Sequence, residues 1–487
     1  MSEGGAPAPV LVINAGGSSV KLSAFIGDTP VFTASLVRLG LSTAALRIQV
    51  AGRRLELAIT EGDLEMTVHR GLTECAGPLA DAVDSELSVI ASRVKFGGPD
   101  ARTRPFDSGL RSDIQRHNPL SSWHNLLCLW SEQFFSERYP DAVSLAVFDD
   151  AFFRRAYGEL AAPTDLPVRP ELVRRYGLYR GGHHGLACQA VLAALPAAVA
   201  AGKLIICHIG SGVSVSAVDD HVPVHNSMPY AACDGPMGNV RSGTVPPGVI
   251  LQLMLGGMPW NDVVRTLTLD AGLYALADMP ADGPVTVQDM LSARPDVLDR
   301  YCESIAVEVF RAAVRLGQVD AVVFSGGLAS TVDGLPAKVL AKVGLSSQLA
   351  GISPTVASEI DEQSVLLAEA RRHHRDASRA ELLLSDGRAA CPGRVRGRLV
   401  DGRDATEPAL PSEVMVLQRL SPVAVLRHRR AAALLAADGE PVGHGAAMAR
   451  ELNVPSMVSV SLADLAPFGR EVLVDCSREG VWLAGGT

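Results

Sequence analysis

Apolar runs that end in glycine-rich turns are the clearest pattern along this chain. Three of them occur, at residues 10–21 (VLVINAGGSSVK), 204–218 (LIICHIGSGVSVSAV) and 321–330 (AVVFSGGLAS). Each predicts a buried strand followed by a turn whose backbone can approach a ligand closely. The first two continue into alternating segments, as the second strand of a hairpin does. Because this strand–turn–strand pattern is used twice, the sequence predicts two related halves that face one cleft.

Stretches with apolar residues at helical spacing lie between these runs. They cover residues 166–177, 184–202, 246–257 and 296–317. This mixture of strands and helices predicts an α/β fold. The charged segment 371–388 marks the expected junction with a C-terminal domain, and the polar stretch 401–413 is expected to be a loop within that domain.

Composition narrows the class of protein. A chain of 487 residues is long enough for two or three domains, and 47% hydrophobic with 20% charged residues is typical of a soluble globular protein. The net charge of −9 argues against nucleic acid or an anionic membrane as the main partner. The eight cysteines form no CxxC pair and are expected to be reduced thiols. Without a recognisable signal peptide or membrane-spanning run, we expect a cytoplasmic protein.

The first glycine turn has the composition of a phosphate site. Backbone N–H groups in such a turn can hold phosphate oxygens, with Ser18, Ser19 and Lys21 close by. The pattern is not a P-loop, which requires GxxxxGK followed by Ser or Thr. Further cationic and acidic residues follow the other apparent strands and suit phosphoryl transfer: Arg93, His124, Asp149, His184, His208 and Arg241. Taken singly, each could instead be a surface cation or a buried structural histidine.

Six motifs in this order resemble those of the acetate kinase family, in the acetate and sugar kinase/actin superfamily. They are 10–21, SRVKFGG (92–98), VFDDAFF (147–153), RYGLYRGGHHG (175–185), CHIGSGVSVSAV (207–218) and DGPMGNVRSG (234–243). The resemblance covers about residues 1–375. It implies a two-lobed, internally duplicated core, divided near 150–200 and closing back near 320–375. It also implies phosphoryl transfer to a carboxylate, with ATP or ADP and Mg²⁺ as cofactors, in a homodimer.

The same resemblance implies roles for individual residues. The catalytic set would be Arg93, Asp149, His184 and Arg241, and Mg²⁺ would be held by Asn14 and Glu362. The family's next histidine would be His124, with HNP at 117–119 as the rival position. Phosphate and nucleotide contacts would come from Ser18, Ser19, Lys21, His208, Gly210, Ser211, Gly212, Asp278, Gly326 and Gly327.

Departures from the family pattern cluster at two places. The family's apolar pocket for the acetate methyl group corresponds here to Lys95, Trp123, His183 and Ala232. A buried cation next to a methyl-sized pocket is unfavourable, so these positions favour a polar or anionic acyl substrate. Several nucleotide contacts are also replaced. The family's GIGEN turn is GGLAS (326–330), and single replacements are Gly17, Ser211 and Pro280.

The last hundred residues carry a second motif. His444, in DGEPVGHGAAMARE, precedes small and apolar residues at helical spacing, where a helix N-terminus would stabilise a phosphate on the imidazole. Alone, the pattern also fits a surface histidine. With the preceding segments it resembles the mobile phosphohistidine domain of phosphoenolpyruvate-utilising enzymes, departing at Gly443 and Gly445. We therefore expect a linker at 376–386 and a small swivelling α/β domain at 387–487.

Three functions are compatible with these resemblances. In the first, the core exchanges a phosphoryl group between a carboxylate and His444, and a separate partner protein charges or discharges the histidine. In the second, the chain is an ATP-dependent acetate or short-chain acyl kinase with a regulatory C-terminal domain. In the third, it is a non-catalytic sensor of acyl phosphate or nucleotide. A hydroxyl-phosphorylating sugar kinase is disfavoured because the matched motifs belong to the carboxylate branch.

Overall fold

The structure, a computed structural model, divides into two compact units, Met1–Ala370 and Arg371–Thr487. It describes residues 8–84, 86–97, 103–118, 123–154, 168–169, 171–172, 176, 182–283, 285–344, 352–357, 360–378, 381–384, 388–391, 394–403, 405, 407–410, 412–452, 454–461, 465, 468–476 and 480–483. Among these residues, no helix is both long and apolar enough to span a membrane.

The first sheet of the first unit begins with the predicted hairpin. Its strands are β1 (Val10–Ala15), β2 (Val20–Ile26), β3 (Thr29–Val37), β4 (Ala45–Val50), β5 (Arg53–Ala58), β6 (Val89–Val94), β7 (Arg104–Pro105) and β8 (Val143–Phe148). They lie in the order β5-β4-β3-β2-β1-β6-β8-β7. The β1–β2 and β2–β3 pairs are antiparallel, whereas β1–β6 and β6–β8 are parallel. All residues of β1 are buried, as its uninterrupted apolar run predicts.

The second sheet repeats this arrangement. Its strands are β9 (Lys203–Ile209), β10 (Val213–Asp219), β11 (Val222–Asn226), β12 (Ala321–Ser325) and β13 (Pro354–Ala357), in the order β11-β10-β9-β12-β13. Again the first three strands are antiparallel and the last two join in parallel. The order and orientation match β3-β2-β1-β6-β8, which confirms the prediction of two related halves.

Helices flank both sheets of the first unit. They are α1 (Leu64–Ala82), α2 (Ser108–Arg116), α3 (His124–Arg138), α4 (Ala151–Arg154), α5 (Gly185–Ala194), α6 (Ala197–Ala200), α7 (Pro247–Leu255), α8 (Trp260–Thr268), α9 (Gly272–Leu276), α10 (Val287–Ala293), α11 (Pro295–Leu316), α12 (Gly327–Thr331), α13 (Leu335–Val343) and α14 (Glu362–Ser378). The helix predicted at 184–202 is wrong as one element, because Pro196 lacks an N–H and separates α5 from α6. The predictions at 246–257 and 296–317 correspond to α7 and α11. Most of 166–177 lies outside the described residues.

The second unit is also an α/β structure. Its strands are β14 (Glu381–Leu384), β15 (Arg388–Cys391), β16 (Arg394–Asp401), β17 (Glu413–Arg419), β18 (Ala433–Asp438), β19 (Ser456–Val458), β20 (Glu471–Asp475) and β21 (Gly480–Leu483), with helices α15 (Pro422–Arg427) and α16 (His444–Glu451). Their order is β14-β21-β20-β16-β17-β18-β19-β15, and β16, β17, β18 and β19 are parallel neighbours. The predicted linker at 376–386 includes the end of α14 and β14.

Candidate active site

The carboxylate of Asp149, directly after β8, lies at the centre of a buried charged cluster. Its Oδ1 is 3.0 Å from Nη2 of Arg93 and accepts a hydrogen bond from the backbone N–H of Leu186 at 3.3 Å. Its Oδ2 accepts from the backbone N–H of His184 at 2.8 Å and lies 3.2 Å from Nζ of Lys95. Burial by itself would raise the pKa of Asp149, but Arg93 and Lys95 outweigh it and hold the pKa well below the usual range. Asp149 is therefore ionised at neutral pH.

The two backbone donors come from the start of α5, His184 at its N-cap and Leu186 in its first turn, because the helix N-terminus contacts Asp149. A side chain at Gly185, the first residue of α5, would overlap the backbone oxygen of Asp149. The preceding residue, His184, has a φ of +65°, in the left-handed region that non-glycine residues rarely adopt. This backbone turns the first N–H groups of the helix toward the carboxylate, where the helix dipole also favours negative charge. The glycine of the HHG sequence is thus required by this close approach.

Two histidines lie side by side next to this carboxylate. The ring centroids of His184 and His208 are 4.8 Å apart. Nδ1 of His184 is 2.9 Å from Oγ of Ser214, and Nδ1 of His208 is 3.2 Å from Oγ of Ser325. Burial lowers the pKa of both rings, with His184 well below its ordinary value. The His184 ring is therefore neutral at physiological pH and can offer Nε2 to a ligand without a charge of its own.

A second carboxylate, that of Glu362, belongs to the cluster through its contacts with Asn14 on β1 and Arg93 on β6. Nη1 of Arg93 donates to Oδ1 of Asn14 at 3.0 Å and lies 3.2 Å from Oε2 of Glu362. The same Oε2 accepts from Nδ2 of Asn14 at 2.8 Å. Burial would lower the pKa of Arg93, but Asp149 and Glu362 raise it overall. Arg93 is therefore a permanent cation that fixes both carboxylates, and Asn14 lies within the same network.

Arg241 lies between the two glycine turns of the duplicated hairpins. A Cβ added at Gly17 would be 2.7 Å from its Nη2, and one added at Gly212 would be 2.9 Å from its Nη1. Burial lowers the pKa of Arg241. No carboxylate of the described residues lies within ion-pair distance of its guanidinium. A buried cation with no carboxylate partner among the described residues, between two turns, is a candidate anion site. A side chain at Gly17 would meet the end of this flexible guanidinium, which would have to shift to make room for it.

The rival assignments for the remaining histidine differ in position. His124 lies at the first glycine turn, because its Cε1 would be 3.1 Å from a Cβ at Gly17. His117 instead stacks edge-on against Phe96 and hydrogen-bonds the backbone oxygen of Asp113. The structure therefore brings His124, and not His117, next to Arg241.

The predicted phosphate and nucleotide residues are only partly gathered. Lys21 is exposed and lies in register opposite Asn14 on the β1–β2 hairpin, with Ser18 and Ser19 in the turn between them. Gly326, at φ +89°, lies against the backbone oxygen of Ile209 at the end of β9, where a Cβ would be 2.5 Å away. The other predicted contacts are Gly210 and the exposed Ser211 in the β9–β10 turn, the exposed Gly327 after β12, and the exposed Asp278 after α9.

The four positions that correspond to the family's acyl pocket do not all lie at the cluster. Lys95 and His183 are buried at the cluster, as their contacts with Asp149 and the adjoining His184 show. The ring of Trp123 packs against Gly40, where a Cβ would be 2.5 Å from it, at the core of the first sheet. Ala232 is buried in the loop that precedes Arg241.

Sequence reasoning missed the polar residues that hold the cluster in place. Asn226 accepts from the N–H of His183 at 3.2 Å and donates to Oγ of Ser216 at 2.9 Å, and so fixes the backbone before α5. Ser214 and Ser325 orient the two histidine rings. The alternating segment SVSAV could have indicated two of these residues, because it predicts that Ser214 and Ser216 lie on the same face of β10.

Asn14 and Glu362 are the candidate magnesium ligands. No group of three or more His, Cys, Asp or Glu side chains in the described part of the chain is arranged to hold a metal ion. Mg²⁺, however, is commonly bound by one or two protein oxygens together with substrate phosphates and water. Glu362 is partly exposed, and its Oε1 is not used by Arg93 or Asn14. The oxygen donors present therefore fit this ion.

In the second unit, His444 is exposed at the first position of α16. The N-cap residue, Gly443, provides no side-chain acceptor for the first-turn N–H groups. A side chain at Gly445 would overlap the backbone oxygen of Leu420. The departure at Gly445 therefore has a packing cause, and the departure at Gly443 leaves the helix N-terminus without a side-chain cap.

Comparisons with known proteins agree with this architecture. Residues 9–361 match the Acetokinase family, and residues 410–479 match the mobile domain of PEP-utilising enzymes. An acetate kinase from Shouchella clausii is 28% identical over 340 residues, covering 66% of this chain and 83% of that protein. One from Geobacillus kaustophilus is 28% identical over 350 residues, covering 68% and 86%.

Solved structures show the same fold for the first unit. A propionate kinase from Francisella tularensis superposes with a TM-score of 0.64 at 18% identity, covering 75% of this chain and 99% of that one. An acetate kinase from Porphyromonas gingivalis gives a TM-score of 0.59 at 20% identity, with the same coverage. At these identities the likeness extends to the fold alone.

Proposed function

Since the chain belongs to the acetokinase family, we propose that it is a phosphotransferase that converts a carboxylate reversibly into an acyl phosphate. The observation that carries this proposal is the buried guanidinium of Arg241, which lies between two glycine turns and has no carboxylate partner among the described residues. Phosphoryl transfer requires little covalent participation by the protein. It requires fixed positive charge around the phosphoryl oxygens and an oriented acceptor.

Each side chain then has a specific task. A carboxylate oxygen of the substrate attacks phosphorus, and the bond from phosphorus to the donor breaks as the new P–O bond forms. Arg241 would stabilise the charge on the phosphoryl oxygens, and the neutral His184 would donate a hydrogen bond to them. Arg93 would orient the substrate carboxylate, because Asp149 and Glu362 already fix its guanidinium. Asp149 acts on Arg93 and on the start of α5 and is a positioning residue.

Asn14 and Glu362 would hold Mg²⁺ at the edge of this cluster. When bound, the ion would offset part of the negative charge of the phosphate groups. ATP or ADP would be the phosphoryl carrier in the simplest version of the reaction. The exposed Lys21 and the turns that contain Ser211 and Gly326 would then contact the nucleotide phosphates.

His444 would be a second phosphoryl carrier. The balanced exchange is carboxylate plus phospho-His444 giving acyl phosphate plus His444. Two observations support it: the imidazole is exposed at an uncapped helix start, and its segment matches the PEP-utilising mobile domain. The family's nucleotide contacts are also replaced at Gly17, Ser211 and Pro280. A separate cytoplasmic protein would charge or discharge the histidine.

The test is phosphate mapping on the full-length chain. The protein is incubated with acetyl or succinyl phosphate and, separately, with ATP, each radiolabelled in the phosphoryl group that is transferred. The residues that carry acid-labile label are then identified. We expect label on His444 from the acyl phosphates, lost in His444→Ala and reduced about 100-fold or more in initial rate in Arg241→Ala. Arg265→Ala, which removes an exposed arginine paired with Asp270, is the matched control and should retain labelling.

Two results would contradict the relay or the whole proposal. Acyl phosphate formed from ATP by His444→Ala, with no label from acyl phosphates, would leave an ordinary ATP-dependent kinase with a regulatory second unit. Absence of acyl phosphate formation from every donor, with acyl phosphate still bound, would identify a sensor and exclude the transferase.

Helix α7 bears on the homodimer that the family resemblance implies. It contains no charged residue, and none of its side chains is buried; Leu251 is 66% and Leu255 is 83% exposed. A second copy of the chain would cover this face. Light scattering after chromatography should give a dimer for the native chain and a monomer for Leu251→Glu with Leu255→Glu. A native monomer would exclude this partner.

A further inference from the structure

Two buried side chains beside Asp149 have no task in the phosphoryl transfer described above. Lys95 is 1% exposed and follows the end of β6, and His183 is 2% exposed and precedes the turn into α5. Nζ of Lys95 lies 3.2 Å from Oδ2 of Asp149 but in a direction that makes no hydrogen bond. Nδ1 of His183 has no hydrogen-bond partner among the described residues. Buried polar atoms without partners are unfavourable unless a ligand completes them.

Asp149 does not use the hydrogen-bonding capacity of Lys95. Nη2 of Arg93 lies at Oδ1, and the N–H groups of His184 and Leu186 occupy one position on each oxygen. Lys95 is a counter-ion of Asp149 on the opposite oxygen from Arg93, which Asp149 shares with Glu362. The N–H donors of Lys95 nevertheless have no acceptor among the described residues.

Among the described residues, the cations of the cluster are Arg93, Lys95 and Arg241, and the carboxylates that pair with them are Asp149 and Glu362. Burial, together with Arg93 and Arg241, lowers the pKa of Lys95 to about 8, so the amine is still largely protonated at neutral pH. A transferring phosphoryl group would balance Arg241, and the reacting carboxylate would bind at Arg93. Lys95 would then still have N–H donors without an acceptor among the described residues, because Asp149 pairs with its charge but accepts no hydrogen bond from it.

The backbone around His183 is fixed in place directly before the start of α5. Asn226 hydrogen-bonds both the N–H and the backbone oxygen of His183, at 3.2 and 3.1 Å. Burial, with Lys95 next in importance, lowers the pKa of His183 well below its ordinary value. The ring is therefore neutral and can donate a hydrogen bond from one nitrogen. A cationic amine and a neutral N–H donor, both buried at the Asp149 cluster, suit a carboxylate.

We infer that Lys95 and His183 form a second anion subsite, and that the acceptor of this enzyme is a short dicarboxylate. One carboxylate of the substrate reacts at Arg93, and the other binds Lys95 and His183 on the opposite side of Asp149. The claim that the dicarboxylate accepts a phosphoryl group rests on the proposed function. The claim that Lys95 and His183 bind an anion does not depend on it.

The experiment is calorimetric titration of the full-length chain with chain-length-matched ligands, succinate against butyrate and malonate against propionate. No phosphoryl donor is needed, so the result does not depend on turnover. We expect the better-fitting dicarboxylate to bind at least about tenfold more tightly than its matched monocarboxylate, since one charged hydrogen-bonding group is gained. Equal or weaker binding of both dicarboxylates would overturn the inference without any variant.

Substitution then assigns the preference to Lys95. Lys95→Met should abolish the dicarboxylate preference and leave monocarboxylate binding unchanged or improved, while Lys95→Arg should retain it. Lys203→Met, which removes a lysine paired with Asp219, is the matched control and should change neither. Equal weakening of both ligand classes in Lys95→Met, with Arg unable to restore them, would make Lys95 a structural counter-ion only.

Turnover separates this inference from the proposed function. Formation of acyl hydroxamate from acetate, with no preference for dicarboxylates in kcat/KM, would overturn the subsite and leave the transferase. Tight dicarboxylate binding without acyl phosphate formation from any donor would leave the subsite and overturn the transferase.

Discussion

The charged cluster around Asp149 and the exposed His444 are two candidate phosphate sites in one chain, and they differ in burial and in pairing. In the first unit, Arg93 and Asp149 are buried, and both are already paired, as is the partly exposed Glu362. In the second unit, His444 stands in solvent at the start of α16, on a helix that a glycine precedes. The cluster is preorganised and mostly buried, which suits bond making and breaking. The histidine is accessible, which suits transfer between sites.

The difference also predicts how each region responds to change. Removing one member of a buried ion pair leaves its partners charged and without compensation, so the loss is large. An exposed histidine has no such partners. Substitutions in the cluster should therefore affect the stability of the first unit strongly, whereas those around His444 should act through local helix geometry.

Asp149→Asn should have the largest effect. It keeps the shape of the side chain but leaves Lys95 without a counter-ion and Arg93 with Glu362 alone. We expect the free energy of unfolding of the first unit to fall by about 3–5 kcal/mol. Hydrogen exchange of the β6 and β8 amides measures this unit within the full-length chain. Asp219→Asn, which removes an exposed partner of Lys203, is the control and should cost about 1 kcal/mol or less. Equal losses in the two variants would contradict the comparison.

Lys95 should give the first unit a distinctive pH dependence. Burial lowers its pKa in the folded protein from 10.5 to about 8. Between these two values the unfolded chain binds more protons than the folded one, so stability rises with pH in that window. Relative to Lys95→Met, the native chain should therefore gain on the order of 3 kcal/mol between pH 8 and pH 10.5. Urea unfolding of both proteins at several pH values checks this, and a constant difference across the window would refute it.

The sequence was sufficient for the elements that depend on local pattern. The hairpins β1–β2 and β9–β10 follow from apolar runs with glycine turns, and their repetition predicted the duplicated core. The end of α5 was not predicted, although Pro196, which lacks a backbone N–H, accounts for it. Local periodicity also could not show that the helix start presses against Asp149, because that contact joins residues from two distant segments.

The candidate site shows a similar division. Sequence motifs placed Arg93, Asp149 and His184 in one set, but their pairing depends on the parallel register of β6 and β8. The position of Lys95 on the second oxygen of Asp149 follows from that register and not from any motif. Trp123 was expected in the acyl pocket because it corresponds to a pocket position of the family, yet its ring packs on Gly40 in the core.

Gly445→Ala should have the next largest effect, this time in the second unit. The new methyl group would overlap the backbone oxygen of Leu420, which cannot rotate away as a side chain could. We expect α16 to shift and the second unit to lose about 1–3 kcal/mol, the usual range for overpacking. Hydrogen exchange of the α16 amides measures this. Gly443→Ala is the control, since its methyl would lie 3.3 Å from the oxygen of Glu440, and it should cost about 1 kcal/mol or less. If Gly443→Ala is the more damaging change, the cap and not the close contact determines the helix position.

Ser421→Ala should have the smallest effect and tests whether the support of His444 extends to the neighbouring helix. Ser421 is the N-cap of α15 and accepts a hydrogen bond from the N–H of Ala424 at 3.2 Å. Its own backbone nitrogen lies 3.2 Å from the position of a Cβ on Gly445, so the two helix starts share this contact. Loss of the cap should cost about 1 kcal/mol in the second unit, and Ser421→Thr should largely preserve it. Labelling of His444 by acyl phosphate should be unchanged in both variants, because the imidazole is exposed and depends on its own helix. A fall in labelling that follows the loss of the cap would instead show that α15 helps to present the histidine.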